Sequence, residues 1–199
     1  MKKIHYALYI CDDELFFLDI AKDKIYKEKF KSLKEDNIVN SAKFINEFSK
    51  FLKKNHIKTT LFGENISFIK NKQINPVILE KYEEILKEYF HKIEYINLEE
   101  LLRIDKDMAY LHITKNYIDY YFMKKNQINS LRIDLEIFNQ QLNKAIHHSI
   151  TTIYKPKKMM VFGNQDNNSQ IAESIKQNYN ITTTFPEIHY HYIFEEYKK

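Results

Sequence analysis

Glycine is scarce in this chain: only Gly63 and Gly163 occur among 199 residues. Loops that cradle a phosphate use glycine so that backbone amides can approach it closely, so mechanisms based on glycine-rich loops are excluded over most of the sequence. The single cysteine, Cys11, excludes an internal disulfide and fits a reducing compartment. The chain also has only three prolines and no tryptophan.

Long apolar runs are also absent. No stretch approaches the roughly 20 apolar residues of a transmembrane helix, and the opening MKKIHY lacks the apolar core of a signal peptide. We therefore expect a cytoplasmic protein that does not insert into a membrane. Basic and acidic residues are interspersed along the whole chain, and the net charge is +4. Nucleic-acid binders usually concentrate basic residues in one patch or tail, so no nucleic-acid partner is expected. Hydrophobic residues make up 44%, enough for a sizeable core.

Hydrophobic periodicity predicts the element order of the first half. Strands are expected over residues 6–10 and 15–20, with a more exposed third strand from 25, and with turns at 11–14 and 23–24. The first strand is apolar on both faces, so it should be central. A helix capped by Ser41 follows, then strands over 58–62 and 65–70, a helix from Pro76, a strand over 93–96 and a short helix over 98–102.

The pattern restarts after residues 105–107. Strands are predicted over 108–114, 117–123 and 128–135, then a helix over 136–154, a strand over 158–163, a helix from about 168 and a strand over 181–185. The aromatic tail from 189 fits a strand or a short helix. The order predicts an α/β protein with a duplicated βββαβαβ topology, its first lobe at 1–105 and its second at 106–199.

A duplicated βββαβαβ half resembles the actin-like ATPase superfamily, a ribonuclease H-like two-lobe fold shared by actin, the Hsp70 ATPase domain, sugar kinases and FtsA. The stretch YICDDELFFLDIAKDKIYKEKF resembles the phosphate-one hairpin of that superfamily, where a D-I-G-S-S turn joins two strands. Cys11 stands in place of the glycine, and Asp12 and Asp13 in place of the serines. The closest likeness is to the PilM group of type IV pilus assembly proteins.

Two further segments carry the resemblance. AYLHITKNYIDYYFMKKNQINSLRIDL is similar to the phosphate-two hairpin, with His112, Ile113 and Thr114 where D-I-G would be and with the arginine retained as Arg132. MMVFGNQDNNSQIAESIKQNYNITTTFPEI is similar to the adenosine-side segment, of whose glycine pair Gly163 remains. The chain looks too short for the inserted subdomain of PilM and FtsA, so a minimal fold is expected.

The departures from the superfamily pattern point to a degenerate nucleotide site. Asp12, Asp13 and Glu14 would repel a triphosphate, the second turn lacks its aspartate and glycine at Thr114, and the third lacks a glycine beside Gly163. No cofactor and no catalytic residue are therefore expected. The resemblance implies a pseudo-ATPase that acts as a scaffold beside the membrane and binds the cytoplasmic N-terminal segment of a pilus inner-membrane protein.

Alternatives remain open at this stage. The chain could be a small actin-like ATPase or kinase with unusual phosphate loops, or a different α/β fold with a regulatory role. Asp12, Asp13, Glu14 and Asp19 could hold a divalent cation, although a solvated turn is the simpler interpretation. The remaining alternatives are a zinc pair at His189 and His191, a single core-facing histidine at His147 or His148, and a Cys11 nucleophile with His112 as its base.

Overall fold

The computed structural model of this chain describes residues 4–59, 64–71, 74–139, 141–163 and 167–199. Its apolar strand segments form two five-stranded sheets, and amphipathic helices pack against them. The chain divides into two compact units: Met1–Glu100 with Lys198 forms unit 1, and Leu101–Tyr197 with Lys199 forms unit 2. Each unit has three antiparallel strands followed by two parallel strands reached through helical crossovers. The predicted duplicated α/β fold is confirmed.

Unit 1 has the strand order β3-β2-β1-β6-β7. The strands are β1 Ile4–Cys11, β2 Glu14–Asp19, β3 Lys24–Lys29, β6 Asn65–Lys70 and β7 Lys92–Asn97, with helices α1 Ser41–Lys54, α2 Pro76–Lys87 and α3 Leu98–Leu101 and a small hairpin of β4 Leu33–Lys34 and β5 Asn37–Ile38. As predicted, β1 is central and buried, whereas β3 is an edge strand with exposed side chains. The α1 helix buries Phe44, Phe48 and Phe51 in the core of this unit.

Unit 2 repeats the arrangement with the strand order β10-β9-β8-β11-β12. Its elements are β8 Met108–Ile113, β9 Tyr117–Lys124, β10 Gln127–Asp134, α4 Leu142–His148, a π-helical turn Ser149–Ile153, β11 Lys158–Gly163, α5 Asn168–Tyr179, β12 Thr182–Thr184 and α6 His189–Lys198. Helices α4 and α5 pack on the sheet through Ile146, Ile171 and Ile175. None of the described helices is long and apolar enough to span a bilayer.

Several predicted boundaries were wrong. The side chain that caps α1 is Asn40 rather than Ser41, since its Oδ1 accepts the Lys43 N–H at 2.9 Å. The helix predicted from 136 begins at Leu142, because residues 135–139 form successive turns that end in a left-handed Asn139. Of the strand predicted over 58–62, residues 58 and 59 belong to no strand, and residues 60–63 lie outside the described residues.

Candidate functional site

The turn between β1 and β2 consists of Asp12 and Asp13, which lie between the paired residues Cys11 and Glu14. Asp12 adopts a left-handed conformation with φ 58°, which aspartate tolerates better than most residues. Its side chain is buried at 2% exposure. Cys11, which stands where the related hairpins have glycine, is buried in extended backbone and forms no disulfide. The turn therefore forms without glycine because the left-handed position falls on Asp12.

A second hairpin in unit 1 closes over this turn. Glu35 and Asp36 join β4 to β5 with φ values of 53° and 62°, the pattern of a type I′ turn. The Asp12 N–H donates to Asp36 Oδ1 at 2.5 Å, and the Asp36 N–H donates to the Asp12 carbonyl at 3.0 Å. The buried Tyr82 hydroxyl donates to the Asp36 carbonyl at 2.7 Å and so fixes the hairpin from below. An amide of the predicted phosphate turn thus donates to a carboxylate of the chain itself.

The other acids of the first hairpin have separate cationic partners. Asp13 pairs with Lys29 at 2.7 Å, and Glu14 pairs with Lys27 at 2.9 Å. Asp19 lies at the opposite end of β2 from Glu14, about 17 Å away along an extended strand. Among the described residues, no group of three or more histidine, cysteine, aspartate or glutamate side chains is arranged to hold a metal ion.

The turn between β8 and β9 in unit 2 is also closed by its own side chain. The Thr114 hydroxyl accepts the Tyr117 N–H at 3.1 Å and the Asn116 N–H at 3.4 Å, and it donates to the Tyr117 carbonyl at 2.9 Å. Thr114 is fully buried. Two backbone amides of this turn therefore already donate to a protein oxygen, as the Asp12 amide does in unit 1.

A row of three polar side chains, two of them buried, crosses the sheet beside this turn. His112, Asp119 and Arg132 lie opposite one another on β8, β9 and β10. Arg132 donates to both oxygens of Asp119, at 2.8 and 2.9 Å, and His112 Nδ1 lies 3.6 Å from Asp119 Oδ2. The Arg132 guanidinium also stacks 3.6 Å above the Tyr117 ring. Arg132, the arginine retained from the phosphate-two pattern, is thus committed to a carboxylate of its own unit.

The charge state of Asp119 follows from these contacts. Burial raises the pKa of the Asp119 carboxyl, but the hydrogen bonds and the charge of Arg132, together with the neighbouring His112, outweigh it, and the net pKa is lowered. Asp119 is 1% exposed and is ionised at neutral pH. Arg132 and Asp119 therefore form a bidentate ion pair between β10 and β9. Its geometric specificity favours the register that places these two residues opposite each other.

Gly163 ends β11 with φ 138°, a conformation that other residues rarely adopt. A Cβ at this position would lie 1.9 Å from the Ile113 carbonyl oxygen, so the neighbouring strand β8 occupies the space that glycine leaves open. The Gly163 carbonyl accepts the Asn168 side-chain amide at 3.1 Å. This glycine serves the approach of two strands, while residues 164–166 of the predicted adenosine-side turn lie outside the described residues.

The histidines that were considered as alternative sites lie in different settings. His189 and His191 lie in helix α6 rather than a strand, and residues two apart on a helix point away from each other. Of the adjacent pair on α4, His148 is half-buried and His147 is exposed and contacts the Tyr179 hydroxyl at 2.8 Å. Cys11 belongs to unit 1 and is buried in β1.

Two residues that define these turns were not predicted from the sequence. Asp36 lies 24 positions from Asp12, and the only local signal was a polar stretch, KEDN, typical of a turn. Asp119 was hidden inside the apolar run YIDYYF, where a lone aspartate could have indicated a buried ion pair with a cation on a neighbouring strand.

Comparison with known proteins places the fold. No protein-family model matches the chain, and no curated protein is significantly similar in sequence. Among solved structures, ethanolamine utilization protein EutJ from Carboxydothermus hydrogenoformans is similar, with 9% identity, a TM-score of 0.65 and coverage of 97% of this chain and 88% of that one.

Two further structures agree. MreB5 of Spiroplasma citri bound to AMPPNP has 6% identity, a TM-score of 0.65 and coverage of 97% and 94% of the two chains. A Bacteroides thetaiotaomicron protein described as having an actin-like ATPase fold and unknown function has 10% identity, a TM-score of 0.59 and coverage of 97% and 95%. Similarity at this level of identity concerns the fold alone: the chain has the actin-like fold, with one five-stranded sheet in each of its two units.

Proposed function

We propose that this chain is a non-catalytic protein of the actin-like fold, a pseudo-ATPase that acts by binding a protein partner rather than by hydrolysing nucleotide. The observation that carries the proposal is the 2.5 Å hydrogen bond from the Asp12 amide to the Asp36 carboxylate. In a phosphate-binding turn, backbone amides of this kind donate to phosphate oxygens. Here the donor is already engaged by an anionic group of the same chain.

The electrostatics of the turn support the same conclusion. A phosphate approaching the Asp12 amide would have to displace the Asp36 side chain, and it would then lie beside a second acidic side chain, that of Asp12. Acidic side chains at this distance disfavour an anionic ligand, because like charges within a few ångströms repel. In the second turn, the Thr114 hydroxyl already accepts the amides of Asn116 and Tyr117.

The partner that we propose follows from the resemblance of the first hairpin to PilM. It is the short cytoplasmic N-terminal segment of a pilus inner-membrane protein, which would hold the chain at the inner face of the membrane. Such a segment can add to a sheet by pairing with an edge strand. Unit 2 offers β10, an eight-residue edge strand on which Ile128 and Leu131 are exposed.

Calorimetric titration with Mg-ATP and Mg-ADP tests the absence of a nucleotide site. We expect no saturable heat up to about millimolar nucleotide, which corresponds to binding weaker than about −4 kcal/mol. MreB5, which shares the fold, was crystallised with AMPPNP, so a nucleotide-binding protein of that fold is a suitable positive control. A saturable one-to-one signal from the unchanged protein would replace the proposal with an unusual actin-like nucleotide-binding protein.

The partner is tested separately. A map of the neighbouring genes should reveal a membrane protein with a short cytoplasmic N-terminal segment, and a labelled peptide of that segment should bind with saturable fluorescence anisotropy. A scrambled peptide of the same composition serves as the control. Equal binding of both peptides, or binding of neither, would contradict the assignment to a pilus machine.

A further inference from the structure

The outward face of α1 carries a stripe of lysines. Lys43, Lys50 and Lys54 lie within one narrow sector of the helix, Lys53 lies beside them, and all four are exposed. The opposite face of the helix is buried in the core of unit 1. At 1.5 Å per residue, the stripe extends about 16 Å from Lys43 to Lys54. Because the opposite face is packed in the core, these lysines stay on the solvent side of the helix.

The one acidic residue of α1 does not neutralise the stripe. The Glu47 carboxylate accepts the N–H groups of Lys31 and Ser32 at 3.3 and 3.1 Å and the Ser32 hydroxyl at 2.6 Å. Its charge is therefore directed towards the chain that enters β4 and not towards the lysines. Lys54 pairs with Glu28 at 2.9 Å, whereas no ion pair joins Lys43, Lys50 or Lys53 to any residue that the structure describes.

Local helix energetics explain only part of this pattern. Lys53 and Lys54 lie in the last turn, where cations interact favourably with the helix dipole. Lys43 lies in the first turn, which has no acidic residue and where the dipole disfavours a cation. Lys50 and Lys54 are four residues apart, a spacing at which like charges destabilise a helix. The dipole therefore does not favour Lys43, and Lys50 lies near a like charge at Lys54, so an anionic partner would offset these two unfavourable interactions.

We propose that the lysine stripe of α1 is a docking surface for an anionic membrane surface. Polybasic surfaces bind anionic lipid headgroups through summed, undirected charge attraction, at roughly fivefold in affinity for each lysine. The stripe contains no arginine, the residue that suits bidentate recognition of individual phosphates in nucleic acids. Strongly hydrated lysines on a flat helix face fit a diffuse layer of negative charge. The contact is adsorption without insertion, because the apolar face of α1 is occupied by the core.

Vesicle co-sedimentation with the full chain tests the proposal. Vesicles of phosphatidylcholine mixed with phosphatidylglycerol should bind the protein at about 0.05 M salt and release it at about 0.3 M, where charges are screened over a shorter distance. Pure phosphatidylcholine vesicles should not bind it. The variant Lys43→Gln, Lys50→Gln, Lys53→Gln should bind the anionic vesicles roughly 100-fold more weakly.

A matched variant controls for net charge. Lys81, Lys144 and Lys155 are exposed and belong to segments other than α1, so Lys81→Gln, Lys144→Gln, Lys155→Gln removes the same charge outside the stripe. It should bind anionic vesicles about as well as the unchanged protein, and thermal unfolding should show both variants folded. Equal loss in the two variants, or no binding by the unchanged protein, would overturn the proposal. Tighter binding to a DNA duplex than to anionic vesicles at the same salt would overturn the choice of a membrane.

Discussion

Asp36 joins the two hairpins of unit 1, and its carboxylate is the feature that distinguishes the first turn from a phosphate site. Its contact with the Asp12 N–H is a charge-assisted hydrogen bond, which is about twice as strong as a neutral one. The neighbouring Glu35 shares the left-handed conformation and the negative charge but makes no such contact with the turn. The pair therefore separates the effect of this hydrogen bond from the effect of charge.

Asp36→Asn should lower the free energy of unfolding by about 1 kcal/mol, because a neutral acceptor replaces the carboxylate in a left-handed position that asparagine tolerates. Glu35→Asn should change it by less than about 0.5 kcal/mol. Urea denaturation at pH 7 measures both values. Equal effects of the two substitutions would mean that the Asp36 contact adds nothing beyond removal of a charge.

Gly163 is required by the approach of β8 to β11 rather than by any ligand. Gly163→Ala should destabilise the protein by about 3 kcal/mol, because the new methyl group would overlap the Ile113 backbone and force two strands apart. Lys158→Ala, at an exposed position of the same strand, should cost no more than about 0.5 kcal/mol. Thermal unfolding of the two variants compares these costs, and a fully stable Gly163→Ala protein would contradict the packing described here.

The Asp119 carboxylate makes stability depend on pH. Its pKa is lower in the folded protein than in the unfolded chain, where a free aspartate titrates near 3.9. A lowered pKa means that the contribution to stability is fully present above the unfolded value and is lost as pH falls through the folded value. The free energy of unfolding should therefore decline as pH falls below about 4.

Substitution isolates the contribution of this group. Asp119→Asn should cost about 3 kcal/mol at pH 7, because it leaves the Arg132 guanidinium without its counter-ion inside the sheet, and it should flatten the acid decline. Asp134→Asn, at an exposed position on β10, should leave both the stability and its pH profile close to those of the unchanged protein. Urea titrations at several pH values would show an unchanged acid slope in Asp119→Asn if the assignment is wrong.

At the scale of elements, the first turn of helix α1 is capped by the Asn40 side chain. Asn40 Oδ1 accepts the Lys43 N–H, one of the amides that lack a partner at the start of a helix. Asn40→Ala should reduce stability by about 1 kcal/mol. Asn46→Ala makes the same chemical change at an exposed interior position, where alanine favours the helix, and should raise stability by a few tenths of a kcal/mol. Denaturant unfolding should therefore give effects of opposite sign.

The small hairpin of β4 and β5 supplies the carboxylate that contacts the first turn of unit 1. It comprises two strands of two residues each, yet it places the Asp36 carboxylate on one turn and receives the Tyr82 hydroxyl from α2. Short hairpins alone are marginal in water, so these contacts to the rest of the unit stabilise it. Periodicity could not predict it, because four strand residues carry too short a pattern.

For the whole molecule, the absence of a nucleotide site predicts that the melting temperature does not change when nucleotide is added. A ligand at 100 times its Kd stabilises a protein by about 2.7 kcal/mol, so any site of useful affinity would raise the melting temperature. We expect no shift with millimolar Mg-ATP. Sodium chloride at matched ionic strength controls for general charge screening, and a dose-dependent shift specific to Mg-ATP would contradict a closed phosphate turn.

The sequence by itself determined the order of the longer strands and helices, the central position of β1, the greater exposure of β3 and the repetition of one topology in two units. These properties follow from local periodicity, since a strand or helix shows its buried face within a few residues. The start of α4 was missed because residues 136–139 continue a helical composition while Asn139 turns the backbone to the left.

Only the tertiary structure decided what each turn contacts. The Asp12 amide meets an acid 24 residues away, Arg132 meets Asp119 across a strand pair, and Glu47 turns away from the lysines beside it. In the sequence, basic and acidic residues are interspersed. In the folded chain, Glu47 accepts backbone amides, whereas the lysines of α1 remain exposed. Such contacts depend on strand register and hairpin curvature, which are set by packing over the whole unit rather than by neighbouring residues.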